Sequence, residues 1–80
     1  MQWLLIGGPA NGKVLNIEAV TSIRWPAEDG EDYLYNAQEY VLKDKYYQLG
    51  KCFSEGGDMI SEQEIERLII ETNLECIPYI

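Results

Sequence analysis

Hydrophobic and polar positions along the chain fall into several short extended runs followed by one helical stripe. Gln2 to Ile6 is almost continuously apolar, stops at Gly7-Gly8-Pro9, and reads as a strand. Lys13 to Ile17 reads as its hairpin partner, because Asn11-Gly12 supplies residues that tolerate positive φ between the two. Val20 to Trp25 sets Thr21, Ile23 and Trp25 against Val20, Ser22 and Arg24, the alternation of a third strand. Asn16, Ala19, Val20 and Ile23 also fit a helical spacing, but the β-branched content of this stretch favours extended chain. Pro26 to Asp32 holds a proline, a glycine and four acids in seven positions, so it offers no face to bury and reads as a loop.

From Tyr33 to Leu42 the pattern is extended again. Tyr33, Tyr35 and Ala37 alternate, and Tyr40 and Leu42 come back into step after an irregularity. Lys43-Asp44-Lys45 is a polar turn. Tyr46 to Phe53 returns as a strand with Tyr47, Leu49 and Phe53 on one face, and Gly50 is a candidate bulge. After Glu55-Gly56-Gly57-Asp58 comes the sharpest local signal. Ser61 stands three residues before Glu64, the spacing of a capping box, and Ile65, Leu68, Ile69 and Thr72 form one stripe. The spacing predicts a helix over about 62–72, ended near Asn73. The apolar tail Leu74 to Ile80 is expected to pack back on the sheet or to pair with a second copy. The pattern therefore predicts an α+β fold: a twisted antiparallel sheet of about four or five strands with the C-terminal helix on one face. A small open barrel, closed at one end by the helix, is the alternative.

Eighty residues suit one domain, 1–80, and 46% hydrophobic residues with nine aromatics supply its core. Fourteen acids against six basic residues give a net charge of −8, which disfavours direct contact with nucleic acid or anionic membrane and favours a basic protein partner. No run reaches the length of a membrane span, and the first residues lack the pattern of a secretory signal, so a cytoplasmic protein is expected. Cys52 and Cys76 are then expected as reduced thiols. Histidine is absent. That removes the usual general base, the familiar nucleophile–base pairs and the commonest zinc ligand, and points away from an enzyme, a metal or a cofactor.

One stretch invites a catalytic reading. Gly7 through Lys13 fits the spacing of a phosphate-binding loop after a strand. The magnesium-binding position is Val14, however, and Val14-Leu15-Asn16-Ile17 suits a strand better than a helix start. The hairpin reading is preferred. Candidate partner-binding residues are then the aromatic and acidic side chains Trp25, Asp29, Glu31, Asp32, Tyr33, Tyr35, Tyr40 and Tyr47.

Leu4 to Val14 resembles the start of small phage- and prophage-encoded proteins of unassigned function, which carry an apolar strand, a Gly-Gly-Pro-x-Asp-Gly turn and a second apolar strand. Tyr40, Tyr47 and Ser61-Glu62-Gln63-Glu64-Ile65 occur in the corresponding order here, while Asn11 replaces the usual aspartate and Leu74 to Ile80 is an added tail. The resemblance implies a phage or prophage source. Together these features lead to the expectation of a small acidic, non-enzymatic accessory protein that binds and modulates a host or phage protein. Two alternatives are a module holding a nucleotide-like ligand against the tyrosines and the Gly7–Gly12 loop, and an acidic mimic of nucleic acid. A homodimer built through the tail is a further expectation.

Overall fold

The structure, a computed structural model, describes residues 1–18, 20–28, 30 and 32–78. Its strands are β1 (Gln2–Ile6), β2 (Val14–Asn16), β3 (Ser22–Trp25), β4 (Tyr33–Leu42) and β5 (Lys45–Lys51). Two short 3-10 turns, Phe53–Glu55 and Gly57–Met59, lead into the helix α1 (Glu62–Glu71). The strands form a single sheet in the order β2-β1-β5-β4-β3. The α+β class, the five strands and the C-terminal helix agree with the sequence pattern.

One ladder departs from it. β1 lies between β2 and β5, antiparallel to the first and parallel to the second, with Trp3 opposite Gln48 and Ile6 opposite Lys51. The sheet is therefore mixed rather than wholly antiparallel. The chain leaves β2, crosses to the far edge as β3, and returns through β4 and β5 until β5 runs beside β1. β1 is covered on both faces, and Trp3, Leu4, Leu5 and Ile6 are each 0% exposed. A near-continuous apolar run is what a strand buried on both sides requires.

Leu4, Ile6 and Leu49 meet the helix residues Ile65, Leu68 and Ile69 on one face, joined by Leu74. Leu5, Ala10, Tyr35 and Cys52 form a second core on the other face, bordered by Leu15, Ile23, Trp25 and Tyr33. Leu15 belongs to one edge strand and Ile23 and Trp25 to the other, so the sheet curls around this second core. It stays open among the described residues, since no ladder joins β2 to β3.

β4 pairs without interruption with β3 and then β5, so the irregularity expected after Ala37 is absent. Simple alternation sends Tyr33 and Tyr35 to the second core and Tyr40 and Leu42 to the helix face. Gly50 is likewise no bulge. It stays in register with Leu5 and Ala37, and a Cβ there would lie 2.9 Å from Leu5 Cδ2 and 3.2 Å from Trp3 Cε3. Its small size lets two large side chains of β1 lie over β5. Phe53, placed on β5 by its pattern, instead starts the first 3-10 turn and is half exposed.

Ser61 Oγ accepts from the Glu64 amide at 3.2 Å, a cap whose loss typically costs about 1 kcal/mol. The Glu64 carboxylate turns forward to accept from Arg67 Nε at 3.1 Å. At the other end Asn73 takes φ 53, and the amides of Asn73 and Leu74 donate to the carbonyls of Ile70 and Ile69 at 3.2 and 3.1 Å. This left-handed closing turn folds Leu74 onto the core. The tail then runs back along the sheet, the Glu75 amide donating to Gln2 Oε1 and the Ile77 amide to the Tyr46 carbonyl.

Tyr35 ties the second core together. It is 0% exposed, its hydroxyl donates to the Gly7 carbonyl at 2.7 Å and accepts from the Ala10 amide at 3.1 Å. Tyr35→Phe leaves both backbone groups buried without a partner, and each such group costs about 1–3 kcal/mol. The expected loss of unfolding free energy in urea is about 2–3 kcal/mol, with faster amide exchange at Ala10. An unchanged denaturation midpoint would show that the turn holds without this hydroxyl.

Candidate functional site

The turn from Gly7 to Lys13 has the spacing of a phosphate-binding loop, but its geometry serves another purpose. Gly7, at φ 83, reverses the chain, and a Cβ there would sit 2.7 Å from Gly57 Cα, so only glycine fits. The Gly7 amide donates to Asn11 Oδ1 at 2.7 Å and the Gly8 amide to the Glu55 carbonyl at 3.3 Å. The Ala10 amide goes to Tyr35, Asn11 to Gly8, Gly12 to Leu5 and Lys13 to Ala10. Pro9 has no N–H. Every amide from Gly7 to Lys13 is thus engaged inside the protein, and β2 rather than a helix comes next. An anion cradle needs free amides converging on one point. This turn offers none.

The Lys13 ammonium lies 5.3 Å from the centre of the Trp25 ring, a cation–π contact between opposite edges of the curled sheet. Trp25 stands directly opposite Tyr33 across β3 and β4. With Pro9, Pro26, Ala27 and Glu28 these two rings line an open groove of about 460 Å³. Three parts of the chain build it: the β1–β2 turn, the end of β3 and the start of β4. Glu28 lines it and Asp32, next to Tyr33, is exposed. β3 is the terminal strand of the sheet, so its outer backbone edge has no strand beside it among the described residues.

The other candidate residues do not gather here. Tyr35 is wholly internal, so the expectation that it meets a partner is corrected: its position on the concave face buries it. Tyr40 and Tyr47 lie on the opposite face, against α1. Asp29 and Glu31 fall outside the described residues. The six described candidates thus separate into the groove pair Trp25 and Tyr33 with Asp32 nearby, an internal tyrosine, and a helix-face pair. Pro9 was missed, because nothing local in the sequence links it to Trp25.

A second groove, of about 450 Å³, runs between α1 and the β4–β5 hairpin, with Leu42, Tyr47, Ile69, Ile70 and Leu74 as its apolar lining. Lys43 and Lys45 stand on its hairpin side and Glu66 on its helix side. Tyr40 braces the two elements, its hydroxyl donating to Glu66 Oε2 at 2.6 Å. Burial, and then the acceptor Glu66, push the Tyr40 phenol up to about 12. Burial also raises the Tyr35 phenol. On the outer face of α1, Arg67 pairs with both Glu64 and Glu71 and holds the Glu64 carboxyl below its usual range. These groups are exposed, and such pairs contribute little stability.

Among the described residues no three Cys, Asp or Glu side chains come together as a metal ion would need. No described helix is long and apolar enough to cross a membrane. Cys52 is a buried free thiol, 3.6 Å from Ser54 Oγ, and Cys76 an exposed one. No family model, curated protein or solved structure matches the chain.

The Tyr40 phenol gives a pH signature. Its raised value means that the folded state holds the phenolic proton more tightly than the unfolded chain. This contribution is complete below the ordinary value of 10.0 and is lost as pH rises through about 12. Stability is expected to fall across that window, and to fall less steeply in Tyr40→Phe, as measured by urea midpoints at stepped alkaline pH. Equal slopes for the two proteins would show that Tyr40 carries no such linkage.

Proposed function

We propose that this chain is a small acidic binding module that takes an extended, basic segment of another protein into the groove lined by Trp25 and Tyr33. The observation that carries this reading is the composition of the groove. Two aromatic rings and two prolines supply rigid contact area, and Glu28 gives the wall a negative charge. Asp32 and the overall charge of −8 extend the field that attracts a cationic partner and raises its rate of encounter. The open edge of β3 lies next to the groove and suits an extended chain that adds main-chain hydrogen bonds while placing alternate side chains among the rings. Trp25 already attracts one ammonium group, that of Lys13, in the free protein.

A binding role rather than a catalytic one is supported by the lack of histidine and by the fully engaged amides of the Gly7–Lys13 turn. The likeness of Leu4 to Val14 to small phage and prophage proteins supports a partner of host or phage origin, met in the host cytoplasm. The accessory protein then modulates its partner by occupying that basic segment.

Trp3 is buried and Trp25 half-buried, so a change in indole emission on titration reports chiefly on Trp25. A short peptide alternating lysine and valine is expected to bind saturably, and at least about tenfold more weakly when salt rises from roughly 50 to 500 mM. Trp25→Ala is expected to weaken binding by about tenfold or more. An equal response to a glutamate–valine peptide, or undiminished binding by Trp25→Ala, would overturn the proposal.

A further inference from the structure

The groove between α1 and the β4–β5 hairpin differs in chemistry from the Trp25 site and does not depend on it. Its lining is apolar along Leu42, Tyr47, Ile69 and Leu74, with Ile70 at the rim, 69% exposed. At about 450 Å³ it falls within the size range of small-molecule sites, roughly 300–1,000 Å³. The hairpin side carries Lys43 and Lys45, two of the six basic residues in a chain of net charge −8. Among the described residues neither has a carboxylate within 4.0 Å, not even Asp44 between them, whereas Arg67 is committed to Glu64 and Glu71. The carbonyls that close α1 are also taken, those of Leu68, Ile69 and Ile70 accepting from the amides of Thr72, Leu74 and Asn73. Lys43 holds φ 51 at the first position of a two-residue turn, where asparagine or glycine sits at lower cost. Non-glycine residues held in this conformation collect at ligand and active sites.

We propose that this groove binds a small amphiphilic carboxylate, its head at Lys43 and Lys45 and its alkyl chain along Leu42, Ile69 and Leu74. The groove separates charge from hydrocarbon as such a molecule does. Two ammonium groups at the hairpin turn supply the charge-assisted contacts that a carboxylate takes. The one acid among the described lining residues, Glu66, accepts from the hydroxyl of Tyr40, two residues back along β4 from Leu42. It is thereby tied back from the turn. An extended peptide is the poorer occupant. The groove lies over the helix face of the hairpin, against Leu42 and Tyr47, rather than along a strand edge. Peptide amides would enter it without the main-chain partners that a strand edge supplies, and unpaired amides lose free energy on leaving water. A hydrocarbon chain makes no such demand.

Titration of the full chain with decanoate, kept below its micelle concentration and followed by the methyl NMR signals of Ile69, Ile70 and Leu74, tests this. Saturable shifts confined to the groove are expected. Octanoate should bind roughly tenfold more weakly, because two methylenes leave the apolar contact. At about 150 mM salt, charges beyond about 8 Å are largely screened, so the effect of a substitution reports on direct contact. Under those conditions Lys43→Gln/Lys45→Gln should weaken decanoate by at least about tenfold and leave decanol unchanged. Both lysines are exposed, so the helical circular dichroism of the variant should match that of the original. Absence of saturable shifts with decanoate overturns the proposal, as does equal decanoate binding by the double variant. Tighter binding of decyltrimethylammonium, or of a leucine–glutamate peptide in the same groove, overturns it too. So does a dimer of the chain that covers these methyls and that decanoate leaves intact. Indole emission with the lysine–valine peptide is a separate readout at the Trp25 groove, so either proposal can fail alone.

Discussion

The fold depends on one strand having no solvent face. β1 is built on a four-residue apolar run, Trp3 to Ile6, that must be covered above and below and paired on both edges. α1 provides the cover on one side through Ile65, Leu68 and Ile69, and the curl of the sheet around Tyr35 provides it on the other. β2 and β5 complete the hydrogen bonding at its edges. Few small domains bury enough surface to stand on one face of a sheet alone, and here two cores share a single strand. The arrangement tolerates a defect. Among the described residues Trp3 Nε1 is a buried side-chain nitrogen without a partner, a penalty of about 1–3 kcal/mol that the surrounding apolar contacts offset.

The same arrangement explains where the surface chemistry lies. Curling the sheet brings Lys13, just before β2, to Trp25 at the far edge and turns the β1–β2 turn into a wall of the aromatic groove. The requirement for a helix over Leu4 and Ile6 leaves a trough where α1 ends and the β4–β5 hairpin projects beyond it. Two grooves of similar size therefore lie on opposite faces, one acidic and aromatic, the other apolar with lysines at its rim. Neither borrows residues from the other.

Local chemistry was legible in the sequence wherever neighbours along the chain decide the outcome. Ser61 and the stripe from Ile65 to Ile69 define α1 within one residue at its end, and the bounds of β4 come directly from its composition. The turn between β1 and β2 could be told from an anion-binding loop because Val14 cannot bind a metal and Leu15-Asn16-Ile17 suits a strand. Features set by distant pairing were not legible. The parallel register of β1 with β5 leaves no local mark, although the unbroken apolar run of β1 is the trace of a strand covered twice. Gly50 resembles a bulge until the bulk of Trp3 and Leu5 above it is known. The tyrosines illustrate the same limit for the candidate site. Alternation alone separates Tyr35 from Tyr40, but only the curl of the sheet makes one internal and leaves Tyr33 at a groove. Pro9 joins that groove from far along the chain.

The parallel pairing also matters for how the chain is made. Trp3 finds Gln48 as its partner, so the most apolar strand leaves the ribosome long before the residues that will cover one of its edges, and before α1. Until then β1 has only β2 beside it, a lone hairpin of marginal stability. Pairings between residues so distant in sequence slow folding. The nascent protein therefore holds a sticky, half-paired hairpin until β5 and α1 have followed it out.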